Sequence, residues 1–104
     1  MSQCIIPKLI TVTLTATKQK ISSSNIKTSS FELHTVSTNA GAAYFGDKDV
    51  STSNIPIAAS TTKTYSASTS GDLTHGDYFD LSQLYLVGTA ADVVRIQYYS
   101  AGNA

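Results

Sequence analysis

An antiparallel β-sandwich, jelly-roll-like in topology, is the all-β fold this chain predicts, and three observations predict it. Of 104 residues, 15 are Ser and 14 are Thr while charged residues make up only 13%. The polar surface is therefore built from hydroxyls rather than from the long charged side chains that favour solvated helices. Ile10, Val12, Leu14 and Ala16 alternate with Thr11, Thr13, Thr15 and Thr17, the period of two that lays one face on a core and the other in water. Turn-forming residues recur about every 8 to 12 positions, the punctuation of sandwiches and barrels, and no segment supports a helix beyond one or two turns.

Residues 1–8 read as an extended N-terminal arm, because they precede the first clear period and Pro7 restricts Ile6 to extended geometry. Residues 9–104 read as one sandwich domain, since a chain of 104 residues supports a single core. The first strand is expected at 9–17. Lys18 to Ser30 is polar, with serine-rich turns around a short extended piece at Ile26 to Thr28. Phe31 to Ser37 begins a second strand with Phe31 and Leu33 on one face, and Val36 then falls on the other. A β-bulge near Thr35, or cover on both faces, would accommodate Val36. Ala42 to Phe45 is a short strand ended by Gly46-Asp47. Ile55-Pro56-Ile57 is extended and belongs at an edge, because Pro56 has no N–H for a central ladder. Thr61 to Ser68 alternates weakly, 70–77 reads as a loop, and Tyr78–Leu81, Leu84–Val87 and Val93–Tyr99 complete six to eight strands. The expected core is Ile10, Val12, Leu14, Phe31, Leu33, Phe45, Leu84, Leu86, Val94 and Ile96.

Composition excludes several functions. Seven Lys plus Arg balance seven Asp plus Glu, and without a basic stripe there is nothing to neutralise phosphates, so no nucleic-acid partner is expected. Apolar runs of a few residues fall far short of the roughly 18 to 20 a spanning helix needs, so no membrane partner is expected. The first residues lack a basic leader region and their apolar stretch stops at Pro7, which points to synthesis in the cytoplasm. Cys4 is the single cysteine, so no internal disulfide forms.

Candidate chemistry is sparse. A hydrolytic nucleophile needs a Ser or Cys beside an oriented His, yet only His34 and His75 are available and no G-x-S-x-G elbow occurs. Asp47, Asp49, Asp72 and Asp77 sit in expected turns, where Asp ordinarily caps its own backbone; Asp80 and Glu32 remain as other acids. Asp72, His75 and Asp77, and separately Asp47 and Asp49, have oxygen and imidazole donors for a metal but match no twelve-residue calcium loop. No catalytic residue, cofactor or metal site is therefore expected, and the chain reads as a non-enzyme.

Six tyrosines and no tryptophan point elsewhere. Tyr-rich, charge-poor surface is typical of the centre of a protein interface. Tyr98 and Tyr99 are adjacent in a strand, so they point to opposite faces and cannot both enter one core. Tyr44, Tyr85, Tyr98 and Tyr99 are the aromatic interface candidates, and Ile5, Ile6 and Pro7 of the arm are the apolar ones, available to add to the edge of a neighbouring sheet.

The stretch from Tyr44 to Tyr99 resembles small virion proteins of tailed bacteriophages. Tyr44-Phe45-Gly46-Asp47, then Val50 to Ile57, is similar to the family's aromatic strand, Gly-Asp turn and Asn-Gly-Ile-Pro-Leu segment. Leu81 to Ala91, followed by Val93-Val94-Arg95-Ile96, is similar to its leucine, Tyr, aliphatic pair, Gly, Ser/Thr, Ala-Ala and Val-Arg-Val. The family's Gly between Asn and Ile is missing, Asp92 stands where Gly is usual, and Ser60-Thr61-Thr62 replaces Gly-Glu-Ser. The resemblance implies a β-sandwich structural protein on the virion capsid surface, a cement or decoration protein that bridges capsid subunits. It implies the major capsid protein or other virion subunits as partners, and a homo-oligomer, with a trimer as the expected form. A neck or tail component, or a virion-surface glycan-binding module, is the alternative.

Overall fold

The computed structural model describes residues 4–66 and 78–102, with side chains described for 6–66 and 78–99. Among the described residues ten strands follow in order: β1 (Cys4–Thr13), β2 (Gln19–Lys20), β3 (Lys27–Thr28), β4 (Ser30–Thr35), β5 (Ala43–Gly46), β6 (Pro56–Ile57), β7 (Thr62–Ser66), β8 (Phe79–Asp80), β9 (Tyr85–Val87) and β10 (Val93–Gly102), with a 3-10 turn at Leu81–Gln83 before β9. The fold is an all-β antiparallel sandwich. One sheet runs β1-β10-β4-β7, the second β2-β9-β5-β6, and β3 pairs with β8.

The pairing follows a simple rule. First pairs with last, second with second-last, and so inward: β1 with β10, β2 with β9, β3 with β8, β4 with β7 and β5 with β6. The chain is one long antiparallel hairpin closed at β5–β6. Two further pairings, β10 with β4 and β5 with β9, roll that hairpin into two sheets. Eight strands wound this way make a jelly roll.

Alternation works as the threonine ladder predicts. Val12 and Leu14 are buried while Thr11 and Thr13 are exposed, and Phe31, Leu33 and Thr35 alternate inward along β4. Across β10, Val94 and Ile96 are fully buried. The core cluster joins these to Ile21, Ala43, Ile57, Leu81 and Leu86, with Ile10, Phe45, Leu84 and Tyr98 packed against it. Phe31 is its aromatic centre: its ring lies 5.9 Å from Phe45, 5.1 Å from Tyr65 and 5.0 Å from Phe79.

Three expectations are corrected. Residues 4–8 are no separate arm: they are the first half of β1, matched to Tyr98–Gly102 of β10. Pro7 had marked them as irregular, but β1 is an edge strand, where a missing N–H on the open side costs no ladder bond. Val36 needs no bulge, because β4 ends at Thr35 and the inward slot belongs to that threonine. Its hydroxyl donates to the Ala58 carbonyl at 2.6 Å and accepts from Thr61 N–H at 3.0 Å, which satisfies a polar group that is 0% exposed. Ala16 is exposed, since β1 stops at Thr13.

Candidate interaction surfaces

Three of the described carboxylates, Asp47, Asp80 and Asp92, accept from backbone N–H groups, whereas Glu32 bonds a side chain. Asp47 Oδ1 accepts from Asp49 N–H at 2.9 Å. Asp80 caps the 3-10 turn, accepting from Ser82 N–H at 2.9 Å and from its hydroxyl at 2.7 Å. Those bonds favour the charged form and hold the Asp80 carboxyl below its ordinary pKa. Asp92, 5% exposed, accepts from Ala40 N–H at 2.8 Å and Gly41 N–H at 3.0 Å. Beside it the Asn39 amide mimics a strand, donating to Val93 C=O at 2.8 Å and accepting from Val93 N–H at 2.8 Å. Asp92 and Asn39 together pin the turn between β4 and β5 to the start of β10. Sequence reasoning missed both; a lone Asp or Asn beside a strand carries no signal of which distant loop it will bind.

His34 shares a hydrogen bond of 2.9 Å between Nδ1 and the Thr62 hydroxyl. It lines a shallow groove of about 340 Å³ on the outer face of the first sheet, with Leu9, Glu32, Thr62, Arg95 and Gln97. Among the described residues no three His, Cys, Asp or Glu side chains converge to hold a metal. Asp72, His75 and Asp77 lie outside the described residues.

The interface candidates are dispersed rather than gathered. Tyr98 turns inward and packs against the core while staying half-buried, on the opposite face of β10 from Tyr99. Tyr99 turns outward, and its hydroxyl donates to Glu32 Oε1 at 3.1 Å. That bond to a carboxylate, which needs the phenol protonated, raises the Tyr99 pKa above its ordinary value. Tyr44 and Tyr85 are half-buried on the second sheet, where Tyr44 lies opposite Val87 and Pro56, and Tyr85 opposite Lys20 and Gly46. Inward positions of those strands go to Ala43, Phe45 and Leu86, which leaves both tyrosines on the outer face. Ile5, Ile6 and Pro7 lie on β1, opposite Ala101, Ser100 and Tyr99; Ile6 is 36% exposed and Pro7 is exposed.

The remaining candidate surface is the open side of β1. Leu14 N–H donates to Asp92 C=O at 2.7 Å, and Ala91 N–H to Leu14 C=O at 2.9 Å. The register continues from that pair, so even-numbered residues of β1 bond to β10. Odd-numbered residues therefore turn their backbone groups away from β10. Pro7 obeys this parity, being odd. So does the far side of β10, where the Thr28 hydroxyl reaches the Tyr99 carbonyl at 2.9 Å and Val36 N–H reaches the Val93 carbonyl at 3.3 Å. Leu9, Thr11 and Thr13 thus present N–H and C=O groups at an uncharged edge, and Leu9 is 61% exposed.

No protein-family model matches the chain, and no curated protein matches it. A solved chain from Bacillus endospore appendages, described as a novel family of disulfide-linked pili, is similar at 17% identity over 94% of this chain and 90% of that one, with a TM-score of 0.42.

Proposed function

We propose that this chain is a structural subunit of a bacteriophage virion, a cement or decoration protein that acts by packing against capsid subunits and copies of itself. The observation that carries the reading is where its polar groups are engaged. Asp47, Asp80, Asp92, Asn39 and Thr35 all bond backbone, and the outward positions carry hydroxyls and tyrosines with scattered charge, such as Glu32, Lys63 and Arg95, beside an open sheet edge. Such a surface favours contact with protein over chemistry on small molecules.

The motif residues that carry the virion resemblance have mechanical roles that fit this reading. A Cβ added at Gly88 would lie 2.7 Å from Leu14 Cδ1 and 3.1 Å from the Ala42 carbonyl, and one at Gly46 would lie 2.8 Å from Asn54 Nδ2. Both glycines let backbone and side chain approach closely. Ala91 has a φ of 74°, in the left-handed region, at the turn that delivers Asp92 to its buried site.

The test is to search purified particles for the chain by mass spectrometry and to locate it by cryo-EM. Stoichiometric occupancy of the capsid surface is the expected result. Absence from particles, or placement in the neck or tail, overturns the cement assignment. A glycan array with saturable binding abolished by Tyr99→Ala would instead favour the glycan-binding alternative.

A further inference from the structure

We propose that the open edge of β1 pairs with the same edge of a second copy, antiparallel about a twofold axis at Thr11. The proposal rests on the structural-subunit reading and names its partner. An edge strand is ordinarily blunted by brevity, charge or proline. Strand β1 is ten residues long, and past Pro7 its outward backbone groups belong to Leu9, Thr11 and Thr13, none of them charged. Among the described residues, no hydrogen bond engages those groups.

The occupant follows from the strands available. Of the two ten-residue strands, β10 is paired on both sides, by β1 and β4. The exposed edges β2 and β6 have two residues each, and β7 has five, of which the second is Lys63. A strand as long as β1, with no charged residue across its outward-bonding stretch from Leu9 to Thr13, is β1 itself.

Register follows from parity and from Pro7. Bonded pairs across the axis must join odd residues to odd residues, since those point outward. Centring on Thr11 places Thr11 against Thr11 and Leu9 against Thr13 of the other copy, in both directions. Each of these pairs exchanges two backbone bonds. Centring nearer Leu9 would draw Pro7 into the ladder, where its missing N–H leaves a carbonyl unpaired. In the chosen register Pro7 lies beyond the paired segment and ends it. On the inner face, half-buried Ile10 meets Val12 of the other copy, so the two cores abut; on the outer face Leu9 packs against a threonine methyl. The pairing closes a dimer with a continuous eight-stranded sheet, so the trimer implied by the virion resemblance would need a different surface.

Cysteine trapping tests both contact and register, in the full chain carrying Cys4→Ser. Facing Cα atoms of a bonded antiparallel pair lie about 5.5 Å apart, within disulfide range. Under mild oxidation, Thr11→Cys should cross-link to dimer at least about tenfold faster than Leu9→Cys or Thr13→Cys alone, while a mixture of those two chains should cross-link to each other. Thr11→Lys, which sets like charges face to face, should be monomeric by light scattering with an unchanged circular dichroism spectrum. The proposal is overturned if Thr11→Cys stays monomeric under oxidation or cross-links no faster than the flanking variants. Particles that incorporate Thr11→Lys as well as wild type also overturn it while leaving the subunit reading intact. Rapid trapping of a chain that is absent from particles would do the reverse.

Discussion

Replacing Thr35 by valine sets two opposing terms against each other at one buried site. The side chains are nearly isosteric, and trading the hydroxyl for a methyl at a position that is 0% exposed gains about 0.8 kcal/mol of burial. Against this, the Ala58 carbonyl loses a donor at 2.6 Å and the Thr61 N–H loses an acceptor at 3.0 Å. An orphaned buried group costs about 1–3 kcal/mol. Thr61 is half-buried and Ala58 exposed, so water relieves both in part and about 1–1.5 kcal/mol each is the appropriate end of that range. The backbone bonds from Thr35 N–H to the Thr61 carbonyl and from Ser60 N–H to the Thr35 carbonyl survive. Thr35→Val should therefore destabilise the fold by about 1.5–2 kcal/mol, or roughly 10 °C in Tm for a domain this size. Urea unfolding followed by circular dichroism measures it, with an unchanged m-value expected. A variant as stable as wild type, or more so, would refute the assignment of this threonine as the latch between β4 and the turn before β7.

Phe31→Ala removes the ring at the centre of the aromatic cluster and should cost about 3–5 kcal/mol by the same urea assay; a loss below about 1 kcal/mol would mean the cluster collapses to fill the space. Gly88→Ala drives a Cβ against Leu14 Cδ1 and the Ala42 carbonyl and should cost about 1–3 kcal/mol, because one of the two obstacles is backbone. In a spectrophotometric titration Tyr99 should ionise above the ordinary tyrosine range, and Glu32→Gln should move it back down by removing the carboxylate acceptor. A raised pKa means the folded state holds the proton more tightly, so this contribution to stability is intact below the ordinary tyrosine pKa and lost as pH rises through the folded value. Asp80 has the opposite sign: its lowered pKa contributes stability above the ordinary carboxylate range that disappears as pH falls through the folded value. In Asp80→Asn the acid limb of the stability–pH curve should flatten, and an unchanged limb would remove Asp80 from the acid response.

Local alternation made much of this fold legible in advance. Ile10, Val12 and Leu14 against three threonines, Phe31 and Leu33 along β4, and Val94 and Ile96 along β10 state by themselves which side of a strand is dry, because successive side chains leave a pleated backbone on opposite sides. Serine, threonine and tyrosine in place of charge likewise imply sheets and contact surfaces over helices. Tertiary structure decided the rest, wherever a residue's role depends on a partner distant in sequence. Ile21 sits in a hydroxyl-rich stretch that reads as loop, yet it is buried because its N–H bonds the Leu84 carbonyl and draws it into the core. Thr35 takes an inward slot that hydrophobicity assigns to Val36, because Ala58 and Thr61 supply its polar partners. Residues 4–8 read as an arm until β10, more than eighty positions away, pairs with them. The nested order of the ten strands, and with it the edge that β1 leaves open, is a property of those long-range pairings, which the two-residue period of a single strand does not encode.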